Sequence, residues 1–236
     1  MNIGIKSVFA VLVLIFLLGA TEINIGVNNQ VNTGRIVGGN CRQGDGDIIK
    51  ERRELEQFKH LVIDGIFTVN VRCGQKSEVS VTADKNLYSL ITTVVEDNTL
   101  HLSTSESYCT QASFVIDIVQ KEIGSITADG SSEMVVDCNS FEDDKLSVEL
   151  RGTSIMKISG AVDSFTLNVQ DTAEIDASEF KAGKVDIKAS DATVARINVS
   201  ERLTGMGSDA SEILYKGQPQ IVEVDAQDVS EFTPED

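Results

Sequence analysis

The sequence predicts an all-β chain folded as a parallel β-helix, a solenoid with coils of about twenty residues that are less regular toward the N-terminus. Three observations predict it. First, six short turns recur: Asp129-Gly130-Ser131-Ser132, Arg151-Gly152-Thr153-Ser154, Gln170-Asp171-Thr172-Ala173, Ser190-Asp191-Ala192-Thr193, Ser208-Asp209-Ala210-Ser211 and Gln227-Asp228-Val229-Ser230. Their key residues Gly130, Gly152, Asp171, Asp191, Asp209 and Asp228 are spaced 22, 19, 20, 18 and 19 residues apart. A fixed period near twenty is the signature of a solenoid. Second, apolar positions repeat with the turns. Upstream stand Ile126, Val148, Leu167, Ile187, Gly205 and Val224, preceded two residues earlier by Gly124, Leu146, Phe165, Val185, Leu203 and Val222. Downstream stand Met134, Met156, Ile175, Ala195, Ile213 and Phe232. Alternation with period 2 on both sides of a turn reads as two strands, each with one buried face. Third, strands that recur every twenty residues in the same sense suit stacked coils, not a hairpin meander.

The turn chemistry fits a sharp corner. Gly accepts positive φ freely, and Asp tolerates the left-handed region better than most side chains. The residues after it are small at Ser132, Ser154, Ala173, Thr193, Ser211 and Ser230, which lets coils stack closely. Gly160-Ala161-Val162-Asp163 and Lys181-Ala182-Gly183-Lys184 read as looser returns between coils.

Taken in order, the chain opens with Lys6 and an apolar run from Val8 to Leu18, ending in Gly19-Ala20. Residues 1–20 read as a secretory signal peptide. The competing reading, an uncleaved anchor, needs about 20 apolar residues, and this run is shorter. No Cys follows until Cys41, which argues against a lipid-anchored N-terminus. Residues 21–46 are rich in Asn and Gly and read as a flexible leader. The β-helix domain is expected over residues 47–236. Glu51 to Lys59 could form a short helix, but a strand leading into Leu61-Val62-Ile63-Asp64-Gly65 fits the pattern better. Gly65 then makes the first corner. Between Gly65 and Gly130 the period blurs into wider coils with a protruding hairpin, its turn at Asp97-Asn98.

Cys41, Cys73, Cys109 and Cys138 are even in number, so an exported chain would pair them, with three connectivities open. Cys73 and Cys109 flank the irregular coils and are placed to clip them. A metal site finds no support, since no two cysteines are close in sequence, and free thiols are the bland alternative.

Composition excludes some partners. The chain has 236 residues, a net charge of −17, 5% aromatics and no Trp. Nucleic acid and anionic membrane surfaces would repel it. The two histidines, His60 and His101, lie on predicted strands, away from any Ser-His-Asp spacing. Carboxylates are plentiful but fall at repeat-equivalent sites, as a structural repeat requires, and no cofactor motif is present. No catalytic residue is therefore assigned. The acidic corner of Asp171, Asp191, Asp209 and Asp228, with Glu174, Glu212 and Glu231 three residues beyond, admits two readings. Either the carboxylates splay into solvent, or Ca²⁺ bridges successive coils.

Several segments carry a resemblance. They are Gly46 to Arg53 leading to Phe58 to Gly65, then Val69-Asn70-Val71, Cys73-Gly74-Gln75, Val79 to Leu87 and Val94 to Leu102, followed by the repeated turns. Over roughly Ile48 to Phe232 the chain resembles the DUF2807 family, the auto-transporter adhesin, head GIN domain group of Bacteroidetes. Family members usually show Ser-Gly-Ser-Gly at the turns, and here those are replaced. The resemblance implies a single-stranded, right-handed parallel β-helix, exported to the periplasm, the outer-membrane surface or the medium. It implies no activity. The expectation is a non-enzymatic binding or structural module that meets a cell-surface glycan or an envelope protein. The alternatives are a carbohydrate-active enzyme on a β-helix and a periplasmic partner in envelope sensing.

Overall fold

A computed structural model describes residues 41–138 and 144–235. The expected signal peptide, and the leader as far as residue 40, lie outside the described residues. The strands, in chain order, are β1 (Arg42–Gln43), β2 (Ile48–Arg53), β3 (His60–Gly65), β4 (Thr68–Cys73), β5 (Glu78–Asp84), β6 (Ile91–Glu96), β7 (Thr99–Thr104), β8 (Tyr108–Cys109), β9 (Val115–Gln120), β10 (Ser125–Gly130), β11 (Glu133–Asp137), β12 (Lys145–Leu150), β13 (Ile155–Val169), β14 (Glu174–Ala189), β15 (Val194–Gly207), β16 (Glu212–Lys216), β17 (Ile221–Ala226) and β18 (Glu231–Pro234).

Each rung is a strand, a corner and a second strand. The first strands stack into one face, in the order β3, β10, β12, the C-terminal halves of β13, β14 and β15, then β17. The second strands stack into another face, in the order β4, β11, the N-terminal halves of β13, β14 and β15, then β16 and β18. Every one of these pairings is parallel, so the all-β solenoid expected from the period is the fold. The returns differ from expectation. They are not loops, because β13, β14 and β15 run through them as strand. The change of direction is absorbed by register shifts between Lys157 and Ser159, Asp176 and Lys181, and Ala182 and Lys184.

The core is a narrow space between the two faces. Leu61, Ile126, Val148, Leu167 and Ile187 are register partners in one column, and each is at most 1% exposed. Val69, Met134, Met156, Ile175 and Ala195 form the facing column. Stacking like on like is what a parallel rung requires, since the period-2 alternation sends equivalent side chains the same way. The apolar ladder breaks at Gly205 for a steric reason. A Cβ there would lie 2.5 Å from the Ile187 carbonyl oxygen. Phe165 and Phe180 are buried in the stack edge to face, 5.0 Å between centroids.

The N-terminal end is built differently. The chain between β4 and β10 forms no further rung. β9 runs parallel to β4, β5 antiparallel to β9, and β2 antiparallel to β5, which extends one face. β7 runs parallel to β3, and β6 antiparallel to β7, which extends the other. Asp97 and Asn98 turn the β6–β7 hairpin at φ 48° and 62°. The hairpin expected to protrude instead lies along β3 as a continuation of its sheet, because Leu100 and Leu102 bury their side chains against the core. The strand expected over Glu51–Lys59 is present only as far as Arg53.

The disulfides correct one expectation. Cys73 pairs with Cys138, and Cys41 with Cys109, so the suggested Cys73–Cys109 link does not form. The reason is register. Arg72 and Asp137 are partners on β4 and β11, which sets the next residue on each side by side. The bond closes a loop that contains the whole β5–β9 insertion. A loop of that length gives about 4 kcal/mol on the chain-entropy account. Cys41–Gly46, assigned to the leader on composition, carry structure. β1 pairs with β8, Cys41 is bonded to Cys109, and the Gly46 amide donates to Asp84 Oδ1 at 2.8 Å.

Asp84 is buried and also accepts the Thr110 hydroxyl at 2.5 Å. The Thr110 bond first, then the Gly46 amide, hold this carboxyl below the ordinary aspartate range against the opposing push of burial. A depressed folded-state pKa contributes stability above the unfolded value, about 3.9, and loses it as pH falls through the folded value. Asp84→Asn is therefore expected to lower the melting temperature at pH 7, with the gap to the parent narrowing steadily below about pH 4 in parallel melts. In the rung core, Leu167→Ala is expected to cost about 2–5 kcal/mol by chemical denaturation. Leu167→Asp should leave the middle rungs unfolded, because it places a charge in a dry stack.

Candidate functional site

The corner ladder is the feature that the repeat singles out. Gly65, Gly130 and Gly152 have φ of 135°, 108° and 70°, and Asp171, Asp191, Asp209 and Asp228 have φ of 65°, 65°, 60° and 59°. All seven occupy the left-handed side of backbone space at equivalent corners. The glycines are not interchangeable with the aspartates. A Cβ at Gly152 would lie 2.3 Å from the Gly130 carbonyl oxygen, and one at Gly130 2.5 Å from that of Gly65.

The aspartate side chains carry a specific role. The Gly152 amide donates to Asp171 Oδ2 at 2.9 Å. The Asp171 amide donates to Asp191 Oδ2 at 3.3 Å, that of Asp191 to Asp209 Oδ2 at 3.4 Å, and that of Asp209 to Asp228 Oδ2 at 3.4 Å. Each carboxylate thus receives the N–H of the corner one rung earlier. The main chain adds a second tie. The amides of Thr153, Thr172, Ala192, Ala210 and Val229 donate to the key-residue carbonyl of the preceding rung.

Magnitudes decide what this ladder does. Carboxylates one strand spacing apart, about 4.8 Å, repel by roughly 1 kcal/mol per pair in water. A net hydrogen bond contributes about the same. The two terms nearly cancel, so the backbone angle at each corner dominates. The oxygens face backbone donors instead of converging. Among the described residues no group of three or more His, Cys, Asp or Glu is arranged to hold a metal ion. Glu174 turns to Arg196, whose Nη1 lies 3.2 Å from its Oε1.

Just inside the corner, Ser132, Ser154, Thr193, Ser211 and Ser230 are buried. The Ser132 hydroxyl donates to the Gly65 carbonyl at 3.1 Å, and that of Ser230 to the Gln227 carbonyl at 2.7 Å. Small size alone accounts for these positions in the sequence, and the hydroxyls of Ser132 and Ser230 add hydrogen bonds to it. The signal that marks them is a hydroxyl at five of the six repeats.

The histidines are not brought to a common site. His60 Nδ1 and Ser125 Oγ are 2.7 Å apart and share a hydrogen bond, but they sit on a broad outer face, not in a cleft. His101 projects from β7 between the buried Leu100 and Leu102. An open groove at the N-terminal end is lined by Arg52, Arg53, Leu55, Phe58, Glu78 and Val79. In it Arg53 lies over the Tyr88 ring, 4.3 Å from the centroid. Neither arrangement joins a nucleophile, a base and an acid.

The outer faces carry the remaining pattern. Ser125, Ser147, Thr166, Asp186 and Thr204 are register partners across one face, and Thr127, Glu149, Asn168 and Lys188 form the next column. These are ladders of polar groups repeating every strand spacing, with Asp186, Glu149 and Lys188 as their charged members.

The family model for the putative auto-transporter adhesin, head GIN domain, matches residues 57–219. Among solved structures, a putative adhesin from Bacteroides fragilis aligns with a TM-score of 0.68 at 18% identity, over 82% of this chain and 99% of that one. A putative lipid binding protein from Parabacteroides distasonis aligns with a TM-score of 0.51 at 19% identity, over 82% and 99%. At such identities the likeness speaks for the fold. Comparison with curated proteins finds no match.

If the corner aspartates serve the turn, Asp191→Asn should melt within about 1 kcal/mol of the parent, since it keeps the acceptor and loses the repulsion. Asp191→Val should cost about 1–3 kcal/mol, because a β-branched residue resists positive φ. Parent melting curves with millimolar calcium and with chelator should overlay. A calcium-dependent rise that Asp191→Asn diminishes would give the corner to the metal.

Proposed function

The chain belongs to the DUF2807 head GIN domain family, and from that premise we propose that it is an exported, non-catalytic binding module. Its outer faces engage a neutral glycan or an envelope protein through many weak contacts. The observation that carries the reading is the outer-face ladder. Ser125, Ser147 and Thr166 are successive register partners one strand spacing apart, Thr204 follows after Asp186, and Thr127 and Asn168 stand in the next column with Glu149 and Lys188. Such a surface offers the same hydrogen-bonding groups again and again, which suits a repeating ligand. Each contact is weak, and affinity comes from number.

Other features support the setting. Two disulfides suit an oxidising compartment. Among the described residues no helix is long and apolar enough to cross a membrane. The net charge of −17 disfavours anionic polysaccharides relative to neutral ones.

The test is a glycan array probed with monomeric and with artificially tetramerised protein. The expected result is binding of neutral polysaccharides by the tetramer, at least about tenfold tighter than by the monomer, with no change in ligand length. Thr166→Lys together with Ser147→Lys should abolish it without lowering the melting temperature. Depolymerisation of any glycan, lost on replacing a single carboxylate, would instead identify a carbohydrate-active enzyme.

A further inference from the structure

The two ends of the solenoid are not alike. At the N-terminal end β2 and β6 run antiparallel to the strands they cover. At the other end β17 pairs only with β15, and β18 only with β16, among the described residues. Both are edge strands, and an edge strand is a template for another chain unless something blunts it.

The two edges differ. In β18 the Glu231 and Glu235 amides donate inward, to the Ser211 and Tyr215 carbonyls. By alternation Phe232 and Pro234 face the open side, and Pro234 has no N–H to offer. That edge is blunted. In β17 the Gln227 amide at its end donates inward to the Gly207 carbonyl. By the same alternation the backbone groups of Val222, Val224 and Ala226 face the unpaired side. No proline interrupts them. Val222 is 44% exposed, although its register partner Leu203 is fully buried. One further strand would complete its burial.

The charge around this edge is mostly acidic, and its counter-charge is Arg202 of β15, whose Nη1 lies 3.6 Å from Glu223 Oε2. After Lys216 the chain carries Glu223, Asp225, Asp228, Glu231, Glu235 and Asp236, and no Lys or Arg. Glu223 and Asp225 alternate with the valines along β17 and point outward. A second copy meeting this edge through its own would bring acid to acid.

We propose that the free edge of β17 is a docking site for an extended, cationic segment of a partner protein, which adds to the face as its next strand. The segment alternates apolar residues, which cover Val222 and Val224, with Lys or Arg, which lie beside Glu223 and Asp225. Main-chain bonds to Val222, Val224 and Ala226 hold it, and the alternation sets its register. Glu223 is the register partner of Thr204, so the site adjoins the last member of the outer-face ladder, but here the edge of the sheet binds and not its face, and neither reading depends on the other.

Fluorescence anisotropy with a labelled peptide of alternating lysine and valine tests it, using the full chain. A peptide of the same composition with the lysines in one block, and one of alternating glutamate and valine, are the controls. The alternating lysine peptide should bind and the controls should not, and raising the salt should weaken binding. Val224→Pro removes an outward N–H without touching a bond to β15, and should weaken binding by about tenfold or more. The double variant Glu223→Lys with Asp225→Lys should do the same by charge, and it carries the test if the proline variant does not fold. No binding by the parent overturns the proposal. So does equal binding of the block peptide, or binding unchanged in both variants. Sedimentation showing a dimer that Val224→Pro dissolves would assign the edge to a second copy and overturn it as well.

Discussion

Each corner is tied to the rung before it twice over. The residue after the key position donates its amide to the preceding key carbonyl, and from Asp171 onward the key carboxylate accepts the preceding key amide. Everything else depends on the register that this double tie fixes. Side chains alternate along a strand, so a slip of one residue would send every buried Val, Ile and Leu to the solvent face. With the corners aligned, Leu61, Ile126, Val148, Leu167 and Ile187 stack in one dry column. The outer Ser and Thr residues necessarily align by the same rule. Core and display surface are thus two readings of one register.

Glycine and aspartate share the corner because they solve the same backbone problem by different means. At Gly130 and Gly152 only the absence of a Cβ leaves room for the carbonyl of the preceding rung. At the later corners aspartate both accepts the positive φ and returns a hydrogen bond to its neighbour. The row of like charges is tolerated because each repulsion is matched by a bond of similar size.

Among the described residues, the groups able to act on a ligand are not gathered in one pocket. The histidines stay apart, many carboxylates take backbone, lysine or arginine partners, and most aromatics among the described residues pack inside. The proposed contacts therefore lie on the regular surface and at the ends of the stack. Both ends finish in edge strands among the described residues, antiparallel β2 and β6 at one and parallel β17 and β18 at the other, the last two of unequal openness.

The sequence by itself determined the solenoid. A period near twenty, the flanking alternation and the Gly or Asp corners are local signals, and local signals survive in a single chain. The positive φ at all seven corners was legible for the same reason, as was the Asp97-Asn98 turn. Tertiary structure alone decided the partner of each cysteine, because Cys73 meets Cys138 through the register of strands separated by a long insertion. It alone decided that residues 74–124 extend the sheets with parallel β7 and β9 followed by antiparallel β6 and β5, instead of forming wider coils, since pairing direction leaves no trace in hydrophobic alternation. Composition read residues 41–46 as leader, and a disulfide and a buried aspartate hold them in place. The corner aspartates showed the same division. Their backbone angle was written in the residue type, but the atom that each carboxylate meets lies about twenty residues away along the chain and one strand spacing away in space, and only the stacked fold brings the two together.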